Sequence, residues 1–272
     1  MPELPEVETV KNELLPHVIG RCVTDIDLIW EGIVRFPSVE EFRSRLLGQT
    51  ITELVRRGKY LIFGLTSGDL LIIHLKISGS LLLRPASTQN ERFIRAIIFL
   101  DNETGIFFRD PRKFGMMRLV EDASPIVAKL GPEPLEPGFT TELLAQLLDN
   151  RSAPIKALLL DQALIAGIGN MYADEALFAA RIHSLRLGKS LSSEEVERLH
   201  RAIQQVLWAG INNKGASVES YFRPNGTQGT AHLEFQVAHR RGQTCPVCGT
   251  PLQRILVRNR GTYLCPNCQP EP

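Results

Sequence analysis

Two groups of residues at opposite ends of this 272-residue sequence are spaced for chemistry. The first is Met1-Pro2-Glu3-Leu4-Pro5-Glu6. If Met1 is removed, Pro2 exposes a secondary amine. An α-amino group titrates near ~7.7–8.0 against ~10.4 for lysine, so at neutral pH a useful fraction is the free nucleophile. Such an amine attacking an electrophilic sugar carbon forms an iminium, which is an electron sink for later elimination. Glu3 is adjacent and can pass protons, while Glu6, one helical turn on, can orient the amine or brace the turn. A plain structural reading competes, because proline near the first helical position and glutamate in the first turn are ordinary helix-start signals.

The second group is Cys245, Cys248, Cys265 and Cys268, in the pattern C-x2-C-x16-C-x2-C, with Cys22 standing apart. Paired C-x2-C turns at this separation have the spacing of a four-cysteine zinc site. Tetrahedral zinc with four thiolates has no open position for water, so one structural Zn²⁺ is expected. Two disulfides or a redox dithiol pair are the competing readings, both disfavoured in the cytoplasm, where this chain is expected. Between the knuckles, residues 254–257 and 262–264 suit two strands joined by Asn259-Arg260-Gly261, which puts Arg260 at a tip. A hairpin of this size needs the metal for rigidity, and rigidity lets a guanidinium be aimed at a phosphate.

These residues must be positioned by a chain that is 43% hydrophobic and long enough for two domains. Its longest apolar runs are strand-sized, so no membrane partner is expected. The formal charge of +1 argues weakly against nucleic acid. The tail is different: residues 223–268 hold six arginines and one acid, Glu234. Val7, Val10, Leu14 and Val18 mark one face of an opening helix. Short apolar runs at 22–29, 51–55, 60–65, 70–75, 81–83, 97–100, 106–108 and 116–120 read as an antiparallel sandwich. A proline-rich connector at 131–138 marks a boundary. Helical periods follow at 140–148, 154–164, 171–180 and 193–213.

Met1-Pro2-Glu3-Leu4-Pro5-Glu6-Val7-Glu8-Thr9, taken with the terminal cysteines, resembles the formamidopyrimidine-DNA glycosylase family. Further blocks similar to that family follow in its order: Arg56-Arg57-Gly58-Lys59-Tyr60-Leu61, Asp110-Pro111-Arg112-Lys113-Phe114-Gly115, Leu130-Gly131-Pro132-Glu133-Pro134 and Ala166-Gly167-Ile168-Gly169-Asn170 through Glu175. The resemblance covers essentially the whole chain. It implies an α+β fold: an N-terminal antiparallel β-sandwich with an opening helix (1–130), a helix-two-turns-helix domain (131–222), a lesion-covering loop (223–236) and a zinc hairpin (237–272). It also implies a monomer that binds double-stranded DNA containing oxidised purines in the cleft between domains and flips the damaged nucleotide out of the stack.

By the same resemblance Pro2 attacks C1′, Glu3 donates the proton for base release, Lys59 acts in β-elimination, and Arg260 contacts phosphate and assists δ-elimination. Asn170 would grip the backbone, its plain alternative being a helix N-cap. Lys156 lies on, and Arg151 near, positions that reach phosphates. Arg112, Phe114 and Ile77 would fill the hole left by the flipped base. Ile77 replaces the usual methionine with a stiffer side chain. Arg92-Phe93-Ile94-Arg95 replaces the usual Lys-His-Asp-His, removing a phosphate-contacting histidine for which Arg92 or Arg95 could substitute. Residues 217–232 correspond to the loop over the flipped purine. An endonuclease VIII-like enzyme for oxidised pyrimidines and a catalytically silent lesion-binding protein are the alternatives.

Overall fold

The computed structural model describes residues 1–218 and 220–272. The chain forms two compact units, Met1–Ala128 with Asn213–Thr230, and Lys129–Asn212 with Ala231–Pro272. The segment after the last long helix therefore packs with the N-terminal unit.

The first unit opens with helix α1 (Leu4–Val18), whose Val7, Val10, Leu14 and Val18 are buried as their spacing requires. Strands β1 (Val23–Asp27), β2 (Val34–Phe36), β3 (Ile51–Arg57), β4 (Tyr60–Leu65), β5 (Leu70–His74), β6 (Ser80–Pro85), β7 (Ile94–Leu100), β8 (Thr104–Arg109) and β9 (Met116–Val120) follow, with helix α2 (Val39–Leu46) between β2 and β3 and the short α3 (Ser124–Val127) after β9. They form a five-stranded sheet in the order β2-β9-β5-β4-β3 and a four-stranded sheet in the order β1-β7-β8-β6. Leu61, Phe63 and Ile73 of the first sheet share one core with Ala96, Ile98 and Phe108 of the second, and α1 closes it.

All eight apolar runs are strands. The sequence reading lacks β2 and α2. Three residues carry no period, and α2 buries only Phe42 and Leu46, although Ser38 caps it by accepting from the Glu41 amide at 3.2 Å. The β2–β9 pair is parallel, in contrast to the antiparallel ladders around it.

The second unit contains α4 (Thr141–Leu148), α5 (Ile155–Leu159), α6 (Asn170–Ala180) and α7 (Ser193–Asn212), then the hairpin β10 (Gln253–Val257) and β11 (Arg260–Leu264). Helix α5 is shorter than the period at 154–164 suggests. Gln162 turns the chain instead, donating to the Ile168 carbonyl at 2.8 Å and accepting from the Gly167 amide at 2.9 Å. Helix α6 is buried on nearly every face, from Met171 to Phe178. Gly210 lets α7 approach it, since a Cβ there would lie 2.6 Å from the Tyr172 ring. Among the described residues no helix is long and apolar enough to cross a membrane.

Candidate active site and metal centre

Pro2 is buried at the start of α1, beside a half-exposed Met1. Glu3 and Glu6 are buried too. The Glu6 carboxylate accepts from the Glu3 amide and from the Ala216 amide, both at 2.7 Å. It therefore braces the first turn and ties the Pro2-bearing end to the glycine-rich segment 213–230. Gly215, at φ 79°, is required there, because a Cβ would sit 2.9 Å from the Glu6 side chain. The Tyr221 hydroxyl donates to the Glu6 carbonyl at 3.4 Å. Burial, with Glu6 adding, pushes that phenol well above its ordinary range, so it remains a donor.

Lys59 follows Gly58 in the β3–β4 turn and is almost fully buried. Arg56 fixes this turn onto α1, pairing with Glu8 at 2.7 Å and donating to the Gly58 carbonyl at 3.0 Å. Burial raises the Glu8 carboxyl, but Lys11 and Arg56 outweigh it and hold the carboxyl below its usual range. The ion pair thus survives mild acid, a role for Glu8 that depends on Arg56, distant in the chain.

The three residues expected to fill the base-flipping hole stand on two turns that are locked together. Ile77 is half-buried in the β5–β6 turn, while Arg112 and Phe114 are exposed in the β8–β9 turn, the guanidinium 5.3 Å from the Phe114 ring. Ser78 donates to the fully buried Asp110 carboxylate, which also accepts from the Arg112 amide at 3.3 Å and the Gly115 amide at 2.7 Å. Arg95 braces the second turn from behind, donating to the Asp110 carbonyl at 2.8 Å. Arg95 is thus a support for the turn. Arg92 is exposed and lies over Phe93.

The first of these turns carries a pH dependence. His74 Nδ1 accepts from the Lys76 amide at 2.9 Å, which puts the ring proton on Nε2. Burial, aided by Lys76 and Lys59, pushes its pKa down to about 3. The folded protein keeps His74 neutral while the unfolded chain takes a proton below about pH 6.5. Its contribution to stability is complete above that pH and is lost between pH 6.5 and about 3. At pH 4.5 the loss is roughly 3 kcal/mol. Urea titrations at pH 7.5 and 4.5 should show wild type losing more stability than His74→Gln, and equal losses would refute the assignment.

In the second unit the hairpin is pinned from beneath. Lys156 is fully buried, 2.6 Å from Asp174 Oδ1, and donates to Thr262 Oγ1 at 2.8 Å and the Gly261 carbonyl at 3.1 Å. Burial pushes the Asp174 carboxyl up and Lys156 pulls it back. Enclosed by these partners, Lys156 positions the hairpin turn. Asn170 donates to the same Gly261 carbonyl at 3.0 Å, and its Oδ1 is buried with no hydrogen-bond partner among the described residues. The N-cap of α6 is Gly169, not Asn170. Arg151 is exposed.

The hairpin turns at Arg258-Asn259, both left-handed at φ 44° and 63°, so Arg260 opens β11 opposite Val257 and is exposed. This displaces the expected tip by one position, because two successive left-handed residues make the tight two-residue turn that matches strand twist. Glu175 holds the preceding segment, accepting from the amides of Gln236, Val237 and Ala238 at 2.8–2.9 Å.

The four cysteine Sγ atoms lie within 4.8 Å of one another, with Cys245–Cys268 at 3.8 Å and Cys248–Cys265 at 3.5 Å. Four thiolates at ~2.3 Å from a tetrahedral zinc sit about 3.8 Å apart, so the set fits one zinc ion. All four positions are taken by sulfur, and the metal is structural.

Comparison with known proteins extends these observations to the whole chain. Residues 1–117 match the formamidopyrimidine-DNA glycosylase N-terminal domain, 130–221 the helix-two-turns-helix domain of that enzyme, and 242–270 a zinc finger found in it and in isoleucyl-tRNA synthetase. Formamidopyrimidine-DNA glycosylase of Chloroflexus aurantiacus is 45% identical over 99% of this chain and 98% of its own. That of Symbiobacterium thermophilum is 43% identical over 100% of this chain and 90% of its own. Among solved structures, the MutM (Fpg) protein from Thermus thermophilus is 39% identical with a TM-score of 0.89, covering 100% of both chains. A Lactococcus lactis FPG mutant in complex with Fapy-dG containing DNA is 34% identical with a TM-score of 0.93, over 99% of this chain and 100% of that one. With three domains matched in order and full-length relatives above 40% identity, this chain belongs to the formamidopyrimidine-DNA glycosylase family.

Proposed function

We propose that the protein excises oxidised purines, 8-oxoguanine and formamidopyrimidines, from double-stranded DNA and then cleaves the strand at the resulting sugar. The observation that carries this reading is the immobilised chain start, with Pro2 buried at the head of α1 and the adjoining Glu3 amide held by Glu6. After Met1 removal, the Pro2 nitrogen attacks C1′; the N–C1′ bond forms as the glycosidic bond breaks. Glu3 gives its proton to the departing base. The attacking amine loses its proton, and its electron pair then makes an iminium as the C1′–O4′ bond breaks and O4′ takes up a proton. Loss of the C2′ proton sends the C–H electrons into the iminium, and the resulting enamine expels the 3′-phosphate with its electron pair. Lys59 assists that β-elimination, and Arg260 binds phosphate and assists the δ-elimination that expels the 5′-phosphate. The product is a one-nucleoside gap.

Residues 1–130 carry the chemistry in this reading, 131–222 and 237–272 grip the duplex through Asn170, Arg151 and Arg260, and 223–236 cover the lesion. Arg112, Phe114 and Ile77 fill the vacated stack. Zinc takes no part in a bond-making step; Cys245, Cys248, Cys265 and Cys268 would hold it to keep the Arg260 strand in place. The protein acts as a monomer in the cytoplasm, where its cysteines stay reduced for metal.

Cleavage of matched duplexes carrying 8-oxoguanine or thymine glycol tests the substrate class. At least about tenfold preference for 8-oxoguanine is expected. Preference for thymine glycol would make the enzyme an excisor of oxidised pyrimidines, and binding without cleavage of either would make it a lesion-recognition protein.

A further inference from the structure

Arg109 ends β8, opposite Ser80 of β6 and Ile94 of β7. Its guanidinium carbon lies 5.4 Å from the centre of the Phe93 ring and 5.0 Å from that of Phe222. Among the described residues no carboxylate pairs with it. Glu91 is committed to Arg84 at 3.1 Å, and the Asp110 carboxylate is filled by the Ser78, Arg112 and Gly115 donors described above. Arg109 Nη1 is buried and has no hydrogen-bond partner among the described residues, while the residue as a whole is half-buried. Burial pulls this guanidinium below its ordinary range, and Glu91 and Asp110 offset that only in part.

The two rings are themselves fixed. Phe93 is held at φ 67°, a conformation rare for an aromatic residue, and its carbonyl accepts from the Asp110 amide at 2.9 Å. The Phe222 amide donates to Ser80 Oγ at 3.1 Å, and its ring packs on Leu82, Ile94 and Phe107. The guanidinium is therefore oriented before any ligand arrives. Stacking on aromatic faces satisfies the flat sides of the cation, and with Nη1 buried it is the Nε–Nη2 edge whose parallel N–H donors match two oxygens of a phosphodiester. A partly desolvated cation with no counter-ion among the described residues is unfavourable until an anion joins it.

We propose that Arg109 is a DNA-contacting residue that binds a backbone phosphodiester beside the lesion loop, using Phe93 and Phe222 as its mount. This rests on the reading of the protein as an enzyme acting on duplex DNA. It also explains what Phe93 does in the segment Arg92-Phe93-Ile94-Arg95: it supports a phosphate donor carried by the neighbouring strand.

The test is affinity for a duplex with a non-cleavable abasic analogue between about 50 and 250 mM salt. Arg109→Gln keeps a planar side chain without charge, and Arg109→Lys keeps the charge. The Gln variant is expected to bind about tenfold more weakly, with a slope of log Kd against log salt smaller by about one, and the Lys variant to keep the wild-type slope. Should the Gln variant fail to fold by its thermal melt, Arg109→Met supplies the same readout. A neutral variant with unchanged slope would overturn the proposal, whether or not affinity falls, since packing alone does not release counter-ions. Borohydride trapping of the same wild-type preparation separates the two readings: trapping with an unchanged variant slope defeats the Arg109 assignment alone, whereas a wild type that neither binds nor traps defeats the enzyme reading.

Discussion

A Pro2→Gly protein, with Met1 removed as in wild type, is expected to lose at least about 100-fold in single-turnover cleavage and in borohydride-trapped product, or about 3 kcal/mol of transition-state stabilisation. Proline restricts the nitrogen to one narrow range of orientations, and the Glu3 amide beyond it is held by Glu6 at 2.7 Å. Glycine keeps an α-amine but frees that orientation, so the attack geometry is lost while the charge is kept. The helix should survive, because its buried face starts at Leu4. Affinity for a non-cleavable duplex should therefore stay within a few-fold of wild type. Undiminished trapping would assign the nucleophile to another amine. Protein that retains Met1 should be inert, since in the Met1–Pro2 amide the nitrogen's lone pair is delocalised into the carbonyl.

Loss of the metal should be the next largest effect. Two short strands cannot stand alone, and structural zinc in small fingers contributes about 10–16 kcal/mol to their folding. Phe178 of α6 packs with Val237, Cys245, Leu252 and Cys265 into a separate small core. Cys245→Ser is expected to abolish metal binding and weaken DNA affinity about 100-fold, through release of the Arg260 strand and its basic neighbours. Lys156, Asn170 and Asp174 still touch Gly261 to Tyr263, so a residual hairpin contact should remain. The sandwich core contains no residue of this cluster, and its circular dichroism should be retained. Metal content, affinity and the thermal melt of the same variant check this together. Global unfolding, or full affinity without metal, would contradict it.

The residues legible in the sequence were those whose evidence is local. Paired C-x2-C spacing announces a tetrahedral site, the i, i+3, i+4 pattern of α1 announces its buried face, and the strand runs are bounded by turn residues. What stayed hidden depends on distant partners. Nothing near Lys156 in the chain signals that Asp174 and Thr262 will enclose it, and without them a lysine reads as a phosphate contact. Arg95 looks equally available until the Asp110 and Pro111 carbonyls take its donors. Asp110 could have been found, because an aspartate before proline that opens a turn commonly caps following amides. Arg109 could not, since its meaning comes from Phe222, which lies far along the chain and is brought beside it by the Ser80 contact and by packing on Leu82, Ile94 and Phe107.

The covalent claim is tested most directly by locating the bond. Wild-type protein reduced with borohydride on an 8-oxoguanine duplex, then digested with nuclease and trypsin, should yield the deoxyribose remnant on the peptide that runs from Pro2 to Lys11, attached at the Pro2 nitrogen. A remnant on Lys59 or any other lysine, with the terminal peptide unmodified, would place the chemistry elsewhere and contradict the mechanism.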